Sequence, residues 1–368
     1  MIFQTIRSSA RIILPACFSV GLLSAQSLTI LCPGVSVCGP SPSLPPASVS
    51  VSYPALTLSA TGGSPPYTWS VIPGGPTTSL PLGMSLSSSG VLSGQPTGTG
   101  LFMPTFRVAD SAGNIATQAF NLTVASGGSL VTHAGVISQV AAGSGWDTTI
   151  YLINTSPMAI NSATVTFHND IGSPLFLAVT TSQQGFVQSI TNSSLTFIMN
   201  PSTTVTIHTT ASQNAALQQG WADIAATPGI GSYAIFRQTL PNGVVAEGTS
   251  AQQGNFQPGL IVPFDNTSSN TTTVGLVSLS SAPVVITATI WDENGTFIGS
   301  PQSIPALNPL GHTAFAIPTM FPATNGKRGF VRFDNSNTDN LSGIVFSFGS
   351  LLGGSFTSVP TLPLPPAM

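Results

Sequence analysis

Whatever chemistry this chain of 368 residues performs must come from four histidines, ten acidic residues, three cysteines and a small set of rings, four of them tryptophans. Hydrolysis requires a nucleophile beside a base, or two carboxylates in one pocket. The sequence has no G-x-S-x-G elbow, H-E-x-x-H pair, P-loop, or G-x-G-x-x-G before a helix. His133, His168, His208 and His312 are isolated from one another in sequence, as strand and loop histidines are. A triad assembled by folding stays open, because triads are spatial. The expectation is a protein that is not an enzyme and uses no cofactor.

Metal chemistry has one local candidate, the run Asp334-Asn335-Ser336-Asn337-Thr338-Asp339-Asn340. Its alternating oxygens resemble the start of a calcium loop, but it lacks the glycine at the sixth position and the carboxylate at the twelfth. It reads as a solvated hairpin connection, and no metal site is expected. Asp110 in DSAGN and Asp292 with Glu293 in DENG read as residues that shape hairpin turns. Cys32 and Cys38 bracket the short loop CPGVSVC. A disulfide between them is the favoured reading, with free thiols or half a metal site as alternatives.

Sugar binding by ring stacking could draw on Trp146, Trp221, Trp291, Tyr151 and Tyr233. Between the two copies of a repeat in the second half of the chain, Trp221 matches Phe330 and Trp291 matches Phe167, an exchange of rings that suggests packing. Trp146 stands in AAGSGWDTTIY with no aromatic counterpart. It is the candidate ligand-binding residue.

Composition narrows the partners. The chain is 42% hydrophobic and 5% charged, and its seven lysines and arginines are too few for a positive groove, so nucleic acid is not an expected partner. An extracellular protein or polysaccharide is the expected partner, and the oligomeric state is left open. Arg7 and Arg11, an apolar run at 12–23 and small residues ending at Ala25 read as a signal peptide over 1–25. After its cleavage no run of about 18 apolar residues follows, so no membrane span is expected.

The elements that must position these residues are strands. Period-two stretches bounded by Gly, Pro, Asn and Ser recur along the chain, the pattern of antiparallel sandwiches. A Pro-rich lead-in is expected over 26–46, a first sandwich over 47–126, a second over 127–253, a third over 254–362, and a Pro-rich tail over 363–368. In GGSPPYTWSV (62–71), Tyr67 and Trp69 lie two apart and share a sheet face. That face is expected to be the core, with Tyr67 nearer the rim where its hydroxyl finds a partner.

The order GGSPPYTWSV, LPLGMSL, GVLSGQP and DSAGN resembles the bacterial immunoglobulin-like repeat, a cadherin-like sandwich of surface and secreted proteins. That resemblance implies sandwich interior for Trp69. Met84 stands where the pattern usually has Leu, and PGGPTTS is a longer insertion.

Beyond it, TTIYLINTSPMAINSATVTFHNDIG (148–172) repeats in outline as TTVGLVSLSSAPVVITATIWDENG (272–295). NPSTTVTIHT (200–209) repeats as NPLGHTAFAI (308–317), QGWADI as RGFVRF, and SYAIFRQ as SGIVFSF. Trp146 to Thr149, VPFDNT, DENG, GHTAF, FPATNGKRG and FTSVP in this region are similar to the repeated sandwich module at the C-termini of secreted acidobacterial proteins. The expectation is therefore an all-β chain of three tandem β-sandwiches, one immunoglobulin/cadherin-like and two homologous to each other. Its expected role is that of an exported structural or adhesion protein; an extracellular carbohydrate-binding protein is the alternative.

Overall fold

A computed structural model describes residues 27–32, 38–125, 131–240, 243–254, 256, 258–335, 341–349 and 355–363. The signal-peptide segment 1–25, residues 336–340 of the calcium-like run, and 364–368 of the Pro-rich tail lie outside the described residues.

The first unit holds eleven short strands. They are β1 (Thr29–Ile30), β2 (Ala47–Ser48), β3 (Tyr53–Thr57), β4 (Ala60–Thr61), β5 (Thr68–Val71) and β6 (Met84–Leu86). β7 (Val91–Gly94), β8 (Gly100–Phe102), β9 (Thr105–Ala109), β10 (Ile115–Ala119) and β11 (Leu122–Ala125) complete it. They pair in the orders β10-β9-β5, β3-β7-β6 and β2-β11-β8, with β1 on β4. Alternation sets the inner face: Phe106 and Val108 of β9, and Leu122 and Val124 of β11, are buried while their neighbours are not. Trp69 is 5% exposed in this core, and the half-buried Tyr67 donates its hydroxyl to the Gly62 carbonyl at 2.7 Å. The stretch 26–46, expected as a lead-in, also supplies core: Leu28, Ile30, Cys32 and Leu44 are buried in the same cluster. A disulfide joins Cys32 to Cys38.

The first tandem sandwich contains β12 (Thr132–Ala142), β13 (Trp146–Asn154), β14 (Asn161–Asn169), β15 (Leu177–Gln183) and β16 (Phe186–Asn192). β17 (Ser194–Met199), β18 (Thr204–Thr209), β19 (Gln218–Ala226), β20 (Ile230–Thr239) and β21 (Val245–Ala251) follow. One sheet runs β12-β19-β14-β17 and the other β16-β15-β18-β13-β20-β21.

The second contains β22 (Gly259–Asp265), β23 (Thr271–Ser278), β24 (Ile286–Asp292), β25 (Gln302–Ser303) and β26 (His312–Ala316). A single-turn helix, α1 (Ile317–Met320), then precedes β27 (Arg328–Asn335), β28 (Leu341–Gly349), β29 (Ser355–Val359) and β30 (Leu362–Pro363). Its sheets run β25-β24-β27-β22-β30 and β26-β23-β28-β29.

Strand by strand, β22-β27-β24-β25 reproduces β12-β19-β14-β17, and β26-β23-β28-β29 reproduces β18-β13-β20-β21. The hairpin β15–β16 is an addition of the first copy. Register corrects one of the sequence matches. His168 faces Trp221 across β14 and β19, and Trp291 faces Phe330 across β24 and β27. Trp291 therefore corresponds to His168, while buried Phe167 corresponds to buried Ile290. Side chains alternate faces, so a slip of one residue moved Trp291 on paper from the outer face to the core. It stands half-buried on the outer face, stacked on Phe330 at 4.8 Å and covered by Phe297, which is 61% exposed.

Candidate functional site: two locked junctions and an aromatic cleft

The hairpin β15–β16 turns tightly at Gln184 and Gly185, both at positive φ (50° and 80°). The turn places Phe186, 8% exposed, in the core of the first unit among Leu28, Cys32, Tyr53, Leu56 and Leu58. One ring from the second sandwich thus completes the core of the first. An aromatic ring sealed from water contributes a few kcal/mol of burial free energy, so the contact resists opening.

The second junction is larger. Phe346 and Phe356 of β28 and β29 belong to the core of the preceding sandwich, and Phe346 meets Phe236 edge-on at 5.1 Å. Their approach depends on Gly248 in β21, where a Cβ would lie 2.6 Å from the Phe356 ring. Beside them Trp221 packs with Val136 and Val277, one from each copy. Its Nε1 donates to the Leu310 carbonyl at 2.9 Å. Polar groups tie the same interface: Gln253 Nε2 donates to the Gly343 carbonyl at 2.7 Å, and Ser138 and Ser342 hydroxyls meet at 3.0 Å.

His312 is the buried centre of this junction. Its Nδ1 lies 2.8 Å from Asp170 Oδ1 and its Nε2 lies 3.0 Å from Gln139 Oε1. Each ring nitrogen of His312 thus has a side-chain partner from the other copy. The His312 backbone N–H also donates to the Asp170 carbonyl at 3.0 Å, and Gln219 Nε2 donates to Asp170 Oδ2 at 2.8 Å. Burial pushes the Asp170 carboxyl up, but the hydrogen bonds from His312 and Gln219 outweigh it and hold the group below the usual carboxylate range. Where a hydrolase would place its nucleophile at Nε2, His312 meets the amide of Gln139. The group braces the interface between the two copies.

Trp146, the ligand candidate of the sequence, lines a cleft along this junction. The cleft has a volume of about 230 Å³, and Trp146, Phe236, Phe315, Phe346 and Phe348 line it. Trp146 is half-buried, 5.3 Å from the Phe356 ring at a tilt of 49° and 6.3 Å from Phe348 in an edge-on contact. Gln139, Gln219 and Thr273 form the polar part of the wall. The other ring candidates are dispersed. Trp221 is sealed in the junction, Trp291 lies on the far sheet, and Tyr151 stacks on Tyr233 at 4.6 Å on the outer face of the six-stranded sheet.

Two further histidines stand beside carboxylates: His133 Nδ1 is 2.7 Å from Asp223 Oδ1, and His208 Nδ1 is 3.8 Å from Asp147 Oδ1 and 2.8 Å from the Thr149 hydroxyl. His168 stacks on Trp221 at 4.5 Å. Among the described residues no group of three or more His, Cys, Asp or Glu could hold a metal ion. Asp110 and Asp292 cap their turns, each accepting from backbone N–H groups two and four residues on.

Asp170, Gln139 and Gln219 were not legible from spacing, since each lies at least 93 positions from His312 in the sequence. One signal existed. His312 occupies the place that the other copy gives to exposed Thr204, each opposite β23 or β13 in register.

Comparison with known proteins identifies the first unit. Residues 36–125 match the family described as "Putative Ig domain". The immunoglobulin-like domain therefore begins within the stretch that the sequence reading assigned to a lead-in. No curated protein matches the chain. Solved structures that resemble it are remote. A Streptomyces avermitilis alpha-L-rhamnosidase complexed with L-rhamnose aligns over 92% of this chain at 10% identity with a TM-score of 0.18, and this chain spans 41% of its length. The Bacteroides ovatus glucan-utilization protein SGBP-B, in complex with a mixed-linkage heptasaccharide, aligns over 86% of this chain and 99% of its own, at 10% identity and a TM-score of 0.20. Mouse cadherin-23 EC22-24 aligns over 90% and 96%, again at 10% and 0.20. Scores this low carry no argument about function. The described chain is nearly all β, an immunoglobulin-like domain followed by a tandem pair of sandwiches, and no described helix is long and apolar enough to cross a membrane.

Proposed function

We propose that the protein is an exported, non-enzymatic structural or adhesion protein whose sandwiches form a stiff spacer with contact surfaces along its length. One observation carries this reading: at each junction an aromatic side chain of one sandwich sits in the core of its neighbour, Phe186 at the first and Phe346 with Phe356 at the second. Domains joined by polar, modest interfaces move relative to each other, whereas large apolar interfaces fix them. A spacer needs that fixity to set a distance. The disulfide between Cys32 and Cys38 suits an oxidising compartment outside the cell. A surface with 5% charged residues, filled mainly by Ser, Thr, Asn and Gln, is solvated through hydrogen bonds that salt barely screens.

Scanning calorimetry of the secreted protein tests the reading. Locked junctions give one cooperative transition; three independent transitions would contradict a fixed spacer.

A further inference from the structure

We infer that the cleft between the tandem sandwiches binds one ring of a neutral saccharide. This names the ligand of a contact surface and so rests on the spacer reading only in requiring the second junction to be closed.

The lining carries no formal charge: Trp146, Phe315, Phe346 and Phe348 give apolar walls, and Gln139 and Gln219 give the polar contacts. A charged ligand would lose its hydration there with no opposite charge to meet it.

The two amides are oriented from behind. Asp170 Oδ2 can only accept, so Gln219 turns its Nε2 inward at 2.8 Å and keeps its Oε1 as an acceptor. His312 Nε2 lies 3.0 Å from Gln139 Oε1 and ties that end of the amide, while Gln139 Nε2 makes one long contact of 3.4 Å to the Val140 carbonyl. The junction thus holds two amides, each tied at one end, beside aromatic walls. An alkyl chain would leave the free ends of both without a partner. Vicinal hydroxyls both donate and accept, and the C–H face of a pyranose covers a ring such as Trp146. The cleft, at about 230 Å³, is smaller than the roughly 300–1,000 Å³ of sites for drug-sized ligands. It therefore takes a single ring, as the end or one unit of a chain.

The test is calorimetric titration of the full secreted chain with soluble gluco-, manno-, xylo-, galacto- and chito-oligosaccharides, and with dodecanoate as an apolar probe. At least one oligosaccharide should bind, with affinity about tenfold weaker in Trp146→Ala and in Gln219→Leu, the loss of one stacking or hydrogen-bonding contact. Trp291→Ala, on the distant face, should bind as the unaltered protein does. Thermal melts of each variant show whether it is folded, and Gln219→Leu serves if Trp146→Ala is not. Binding of dodecanoate alone, or of no probe by a protein that melts in a single transition, would overturn the saccharide site while leaving the spacer reading standing. Oligosaccharide binding unaffected by either cleft variant would place the sugar elsewhere and also overturn it. Separate domain transitions would count against the spacer reading instead.

Discussion

Trp221 Nε1 donates to the Leu310 carbonyl at 2.9 Å, and the two residues belong to different copies of the same sandwich. Trp221 is 1% exposed, and Leu310 holds a positive φ of 54° that aims its carbonyl at the indole. One side chain therefore serves as core and as tie. Trp221→Phe keeps most of the packing but leaves the Leu310 carbonyl unpaired, and should cost about 1–3 kcal/mol in urea unfolding. Trp221→Ala also opens a cavity and should cost about 3–5 kcal/mol. Equal losses for the two variants would mean that the hydrogen bond is the whole contribution.

Phe186→Ala should detach the immunoglobulin-like domain without disturbing the tandem pair. The lost ring is worth about 3–5 kcal/mol, and all of it falls at the first junction. Calorimetry should then show the first domain melting by itself ahead of the rest. A uniform downward shift of one undivided transition would show that the hairpin tip does not join the two.

Acid should loosen the second junction through Asp170. Its carboxyl is held below the usual range in the folded protein, against a value of about 3.9 in the unfolded chain. The stability it contributes is therefore present above about pH 3.9 and is lost as the pH falls through the lower, folded value. Asp110 and Asp265 are shifted downward too, by hydrogen bonds to Asn114 and to Thr267 first among their causes, and add to the same slope. Comparison of the unaltered protein with Asp170→Asn from pH 6 to pH 2 isolates the junction: the difference between them should shrink as the pH falls. A difference that stays constant would show that the pairing of Asp170 with His312 does not depend on its charge.

Trp69→Ala should unfold the first domain, with a loss of about 3–5 kcal/mol. Gly90, at a φ of 89°, lies under the indole, where a Cβ would come within 2.9 Å of the ring. Gly90→Ala should therefore destabilise the same domain through strain and displacement of Trp69. Near-ultraviolet circular dichroism reads the tryptophan environment in both variants, and an unchanged spectrum would contradict the interior placement.

What the sequence revealed and what it hid follow from the range of each interaction. Tyr67 and Trp69 were legible because strand period two places both on one face. The tandem copies were legible because hairpin and turn residues recur in order, down to GHTAF of β26 against TTVTIHT of β18. Trp291 was misplaced by a single position, since 148–172 is one residue longer than 272–295 and pairing them from the front carries the extra residue into the strand. Register in the sheet settles that choice, and sequence similarity this faint does not. Phe186 was hidden because nothing local distinguishes a hairpin tip that enters another domain from one that faces water. His312 and Asp170 were hidden for the same reason: the carboxylate that orients the imidazole comes from another copy, 142 residues away. The lead-in was misread because Pro and Ser in 39–46 mask Leu44, whose N–H pairs with the Asn121 carbonyl and whose side chain enters the core.

Pulsed electron–electron resonance measures the rigidity of the two junctions in solution. Spin labels at Ala112→Cys and Asn294→Cys, in exposed turns of the first and last sandwiches, report the distance across both junctions. The account predicts one narrow distance distribution, broadened by Phe186→Ala. A broad distribution in the unaltered protein, indifferent to Phe186, would contradict it.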